Sequence, residues 1–327
     1  MSEVVLHVLW RRRLGLVWWA LGVLAADGLL AIAYPTVRDN SELDSTFAGL
    51  PPGVQAALGL QAGAITSPAG YLNSQFFANL LPIILLVFAI GWAAWSIAGD
   101  EAAGTLELLL ANPVTRMQVM WGRAVALLLG LATLTLVAAA GLAVLAPLTG
   151  LGSIGPLRIL EAAAGTGLLA LVYACLAMAV GAGFATRSGA IAVAAGIAVA
   201  QFMVEGLAEQ VKLLRPIREA SPWHWFLGTD PIRHGLLWQS WVLPLVVSLA
   251  LLLVGSFVFR RRSLHCTLRL PRLFSPSPVR GPRRERPDVV ELCVQPDPYV
   301  RTLDGRPHLE DATPPLGHRH RQSLKQG

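Results

Sequence analysis

Long apolar runs, broken at intervals by short polar stretches, set the pattern of this chain. Six runs approach or exceed the twenty or so residues needed to cross roughly 30 Å of hydrocarbon. They lie at about 14–34, 76–98, 117–145, 162–184, 189–205 and 241–259. Backbone groups in lipid must be satisfied internally, so each run is expected to be a helix. Arg11, Arg12 and Arg13 precede the first run and Arg260, Arg261 and Arg262 follow the last. Basic clusters flanking spans stay on the cytoplasmic side. The pattern therefore predicts an all-α integral membrane protein with six transmembrane helices and both termini cytoplasmic. The first run is too long for a signal-peptide core and no small-residue cleavage site follows it.

The connections carry further expectations. Residues 1–13 form an amphipathic segment suited to the membrane surface. Residues 35–75, polar and mildly acidic through Asp39, Glu42 and Asp44, suit an external loop, and LPPGVQAALGL within it reads as a short helix with proline at its start. Pro82 is tolerated in span 2 because neighbouring helices can satisfy the freed carbonyl. Thr115 with Gln118 makes a capping box for span 3. Spans 4 and 5 are dominated by small residues, which allow close backbone approach, so they are expected to pack on each other or across a subunit interface. Residues 206–240 alternate in charge and hold Trp223, Trp225 and Trp238, with Trp241 just beyond. Interfacial helices are expected there, although the basic residues of the segment sit on the external side by span counting.

Composition agrees with a bilayer environment: mean hydropathy is +0.56 and only 14% of residues are charged. The net charge of +6 is unevenly distributed. Residues 1–259 hold 12 Lys and Arg against 13 Asp and Glu, whereas residues 260–327 hold 14 against 7. The basic excess therefore sits in the tail, where anionic headgroups are a better partner than nucleic acid. That tail also holds 10 of the 22 prolines and lacks a periodic apolar pattern, which reads as disorder. An Arg- and Pro-rich ending can also arise when a GC-rich gene is read through a frameshift. Three domains follow: 1–13, a six-span region at 14–260, and the tail at 261–327. Cys175, Cys266 and Cys293 show neither CxxC nor Cys/His spacing, which supports no disulfide framework or zinc site.

The connection between spans 2 and 3, DEAAGTLELLLANPVTRMQVMWGR, is more structured than a link requires. Gly104 permits a sharp turn, Thr105 is a good N-cap, and Glu107 suits the first turn of a helix. Leu106, Leu109 and Leu110 would share one face, and Pro113 stops the element. The result is a one-to-two-turn amphipathic helix at the inner membrane face. Its leucines can fill a pocket on another protein or sit among headgroups, and periodicity leaves both open.

The ordered run EAAGTLELLLANPVTR, Glu101 to Arg116, resembles the signature of ABC-2 type transporter permease subunits. In that signature an acid, Gly-Thr, a leucine run and Pro-Val-Ser/Thr-Arg follow the second span. The six-span pattern and SPAGYLNSQFF ahead of span 2 are also similar to bacterial members, over residues 1 to about 260. The resemblance implies a coupling helix at about 104–112 that docks into a separate nucleotide-binding subunit. Leu106, Leu109 and Leu110 would be buried contacts there, and Glu101, Glu107 and Arg116 charged ones. Arg123 stands where such a loop usually has a basic residue. The implied protein is the permease of a bacterial cell-membrane exporter of drugs, antibiotics or lipids. Its partners would be ABC ATPase subunits, a second permease copy or homologous half, and membrane lipids.

The chain itself is expected not to be an enzyme and to hold no cofactor, with ATP and magnesium bound by the partner. Its only lysines, Lys212 and Lys325, do not belong to GxxxxGK[ST]. HExxH, GxSxG and metal-ligand clusters are also missing from the sequence. Asp27 is the one ionisable residue deep in a span, and such a group is by default a functional candidate. The plainer role is to pair within the bundle or to reach the outer interface. Asn79, Tyr173, Gln201 and Glu205 could line a pathway, with interhelical hydrogen bonding or an interfacial position as the plainer role. Alternative functions are an ATP-independent secondary transporter or channel using Asp27, or a non-transporting scaffold. The missing internal repeat weakens the secondary-transporter reading.

Overall fold

The computed structural model describes residues 2–40, 65–96, 116–184, 186–208, 211–228, 231–235 and 237–261, together with positions 46, 49–51 and 54. Six long helices cover the six apolar runs. These are α1 (Ser2–Arg38), α2 (Pro68–Ala94), α3 (Arg116–Thr149), α4 (Pro156–Phe184), α5 (Arg187–Leu207) and α9 (Trp238–Arg261). Between α5 and α9 lie a 3₁₀ turn (Lys212–Leu214) and three short helices, α6 (Arg215–Glu219), α7 (Pro222–Leu227) and α8 (Pro231–His234). Among the described residues there are no strands.

Two boundaries differ from the hydropathy reading. The segment at 2–13 and span 1 form one continuous helix rather than two elements, because nothing in VVLHVLWRRRLGL breaks helical bonding. Span 2 begins at Pro68, eight residues ahead of its apolar run, inside what reads as external loop. Ser67 caps it by accepting from the Gly70 amide at 3.1 Å, and proline is suited to the first helical position. Its polar entry turns are then tied to α1: Tyr71 donates to the Leu30 carbonyl and Tyr34 to the Thr66 carbonyl, each at 3.1 Å. The two tyrosine rings pack with centroids 5.1 Å apart.

Residues Leu72–Leu80 follow π-helical bonding, with the Leu81 amide reaching the Phe76 carbonyl. The register is therefore widened just ahead of Pro82, which stands at the start of the regular α-helical part, Leu81–Ala94, where a missing N–H costs least.

Helix α4 is the centre of the bundle. In its most apolar stretch 72% of residues are buried, against 22% in α1 and 28% in both α5 and α9. Packing this dense requires small side chains. A Cβ on Gly167 would stand 2.5 Å from the Thr135 methyl of α3, and one on Gly255 of α9 would stand 2.9 Å from the Ala179 Cα of α4. Helix α5 packs on α4, and it buries Ala190, Ala194 and Ala198, one stripe at four-residue spacing, while Val193, Val199 and Met203 stay exposed. Spans 4 and 5 do therefore pack on each other, as their composition predicts. Gly150, with φ of 87°, turns α3 into α4, a conformation that glycine adopts without steric cost.

The alternating helices give the bundle two unlike ends. One carries Arg11, Arg12, Arg13, Arg123, Arg187, Arg260 and Arg261; the other carries Arg38, the α3–α4 turn and the short helices α6 to α8.

Candidate translocation and coupling residues

Three of the sequence candidates come together at the α4–α5 boundary. Tyr173 is fully buried in α4 and its hydroxyl donates to Gln201 Oε1 of α5 at 2.5 Å. One helical turn further along α5, Glu205 is 5% exposed and accepts from Arg218 of α6 at 3.0 Å. His224 Nδ1 of α7 lies 3.3 Å from the same carboxylate oxygen. Residues three or four apart share a helix face, so Ala198, Gln201 and Glu205 form one continuous edge of α5. Trp223 closes the Ala198 end of it, donating from its indole nitrogen to the Ala198 carbonyl at 3.1 Å.

The segment after α5 is folded back by local chemistry. Ser221 caps α7 by accepting from the Trp223 amide, and Ser240 at the start of α9 donates to the Trp225 carbonyl at 2.5 Å. These bonds hold Trp223 and His224 against α5. Alternating charge in 206–240 thus resolves into a specific pair: Glu205 lies at the end of the span and Arg218 beyond it. Sequence reading singled out Glu205 but not Arg218, Trp223 or His224 as its neighbours. The pairing depends on how the chain doubles back, which no residue spacing encodes.

Asp27 occupies a different place. It is fully buried in α1, and among the described residues neither carboxylate oxygen has a hydrogen-bond partner. Among the described residues no hydrogen bond ties it to another span. Space for it is made by α3, where a Cβ on Gly141 would stand 2.5 Å from Asp27 Oδ2 and 2.7 Å from Leu24 Cδ2. An uncompensated carboxylate in an apolar setting is costly, which is why such groups tend to have functional reasons to persist.

Asn79 is also separate from the α4–α5 group. It lies in the π-helical part of α2 and donates to the Ser74 carbonyl at 2.6 Å, which uses the amide in the local widened register.

Of the candidate coupling residues, Glu101, Gly104, Thr105, Leu106, Glu107, Leu109, Leu110 and Pro113 lie outside the described residues, as does Thr115. Arg116 begins α3. What the structure does define is the base of this stretch. Ser96, the last described position after α2, presents its carbonyl to the Arg123 guanidinium, which is 3% exposed. Carbonyls at a helix end have no intrahelical partner, and a cation placed there satisfies one of them. The two spans flanking 97–115 are therefore fastened together where the stretch leaves and rejoins the bundle.

Among the described residues no group of three or more His, Cys, Asp or Glu is placed to hold a metal ion. Cys175 is a buried free thiol in α4. Comparison with curated protein sequences finds no match. The family described as ABC-2 family transporter protein matches residues 11–264, which takes in α1 from Arg11 onward, the other five long helices and the stretch between α2 and α3. By that match over most of its length, the chain belongs to the ABC-2 family of transporter proteins and is a multi-pass membrane permease.

Proposed function

We propose that this permease is the transmembrane subunit of an ATP-driven exporter, moved by a separate ATPase subunit that engages residues 101–116. The observation that carries the reading is the family match extending across that stretch, joined to the Arg123–Ser96 bond at its base. A helix docked there would push on α2 and α3 together rather than on a loose loop. The arginine-rich end is cytoplasmic in this reading, which follows the bias of basic residues toward that side. The membrane is the bacterial cell membrane. A second permease copy or related half completes the pathway, and the cargo is a drug, antibiotic or lipid-like molecule. ATP and magnesium belong to the partner.

The test is Leu109→Asp in the chain co-expressed with its ATPase. A carboxylate in the docking face should abolish permease-dependent stimulation of ATP hydrolysis while membrane insertion and assembly persist. Undiminished stimulation and transport in this variant would remove the coupling helix from the mechanism.

A second reading is favoured by one observation, the buried carboxylate of Asp27, which has no hydrogen-bond partner among the described residues. In it the chain transports by an ion gradient alone. Flux in proteoliposomes driven by a proton or sodium gradient, without ATP or a partner, and lost in Asp27→Asn, would establish it in place of the ATP-driven one.

A further inference from the structure

Val23, Asp27, Leu30, Ala31 and Tyr34 are all buried, and their spacing places them on the one face of α1 that is turned into the bundle. Asp27 is the only carboxyl on that face. Gly141 of α3 makes room for it: the position of an added Cβ there lies 2.5 Å from Asp27 Oδ2 and 3.5 Å from the carboxyl carbon. The acid group thus fills the space that a side chain at 141 would take. The fit is one of shape, since among the described residues neither oxygen accepts a hydrogen bond.

Nor is there a charge to compensate it. Helix α1 packs chiefly on α3 and α2. Residues 124–149 of α3 contain no Asp, Glu, His, Lys, Arg, Cys or Tyr. In α2 the one titratable side chain is Tyr71, whose hydroxyl donates to the Leu30 carbonyl. On α1 itself the nearest is Tyr34, whose hydroxyl donates to the Thr66 carbonyl. The nearest cations of α1, Arg38 and Arg13, stand about 16 Å and 21 Å along the helix from Asp27, and Arg123 of α3 stands about 27 Å from Gly141. An isolated ionised carboxylate in such a setting is far costlier than the neutral acid, and a group placed there takes up a proton instead.

We propose that Asp27 is a proton-binding site in which the carboxyl stays un-ionised while α1 is packed on α3, and that loss of this proton parts the two helices. The ligand is the proton itself. The inference stands under either reading of the function, because it concerns the packing of α1 on α3 and not the source of energy for transport.

The full chain and its Asp27→Asn variant, purified in detergent, are unfolded at a series of pH values. Asparagine keeps the shape of the acid and cannot ionise. In the unfolded chain an ordinary aspartate has lost its proton above about pH 4. Folding of the wild type then takes up one proton that folding of the variant does not, so this contribution to stability is lost as pH rises. Between about pH 5 and about pH 7 the folded-to-unfolded ratio of the wild type, relative to that of the variant, should fall about ten-fold per pH unit. A relative ratio that does not change with pH overturns the proposal. Infrared spectroscopy of the folded proteins reads the same group without unfolding them. The C=O stretch of an un-ionised carboxyl should be present in the wild type at neutral pH and missing from the variant, and identical spectra in that region overturn the proposal. Hydrogen exchange then follows the contact: raising the pH until that band disappears should increase exchange in α1 and α3 of the wild type beyond the increase in the variant. Equal increases overturn the link between the proton and the packing.

Discussion

The guanidinium of Arg123 donates to the backbone carbonyl of Ser96, so that the first turns of α3 hold the last described turn of α2 across the base of residues 97–115. A charged donor on a buried carbonyl is among the stronger hydrogen bonds, worth about 1.5–3 kcal/mol. Its position matters more than its strength. It ties α2 to α3 where the stretch between them leaves and rejoins the bundle.

Arg123→Ala is therefore expected to lower permease-dependent ATPase stimulation several-fold and thermal stability by about 2 kcal/mol. Arg123→Lys should recover part of both. The measurements are ATP hydrolysis with the co-expressed partner and thermal unfolding in detergent. A variant that melts early yet stimulates normally would confine Arg123 to a structural part.

The fit between Asp27 and Gly141 predicts a reversal of an ordinary trend. Glycine to alanine inside a helix stabilises by up to about 1 kcal/mol. At Gly141 the new methyl would meet Asp27 Oδ2 and Leu24 Cδ2 at less than 3 Å, so overpacking of about 1–3 kcal/mol should dominate. Gly141→Ala should then melt below the wild type. Combining it with Asp27→Ala should restore much of the loss, seen as a non-additive cycle. Additive effects would show that the two sites do not touch.

The bond between Tyr173 and Gln201 joins the central helix to α5 and is open to the same kind of test. Tyr173→Phe and Gln201→Leu should each destabilise the bundle, and the double variant should cost less than their sum. Hydrogen bonds between spans give couplings that average about 0.6 kcal/mol and reach about 1.7. The cycle is read by thermal unfolding, with α5 followed by hydrogen exchange. A coupling indistinguishable from zero would mean that the bond contributes nothing to holding α5.

Much of this architecture is legible in the chain. The number of spans, their approximate limits and the small-residue contact of α4 with α5 follow from hydropathy and side-chain size. Local chemistry is legible for the same reason: caps and turns depend on neighbours in sequence, and length depends on bilayer thickness. The continuation of α1 back to Ser2 and the start of α2 at Pro68 are not visible as apolar runs. The polar residues that open α2 are held by contacts made far away in sequence, as when Tyr71 reaches the Leu30 carbonyl of α1.

Consecutive residues alone specify six apolar spans, their helical state and the Gly-Thr-leucine motif between spans 2 and 3, because helix formation in lipid and the order of a motif are properties of neighbours in sequence. Tertiary structure alone decided that Glu205 meets Arg218 and His224, and that Asp27, opposite Gly141, has no hydrogen-bond partner among the described residues. Each of these depends on which helix faces which in a bundle where nearly every span is apolar on all sides. With so little contrast between faces, periodicity cannot choose the neighbour, and the choice falls to close packing around the small residues of α4.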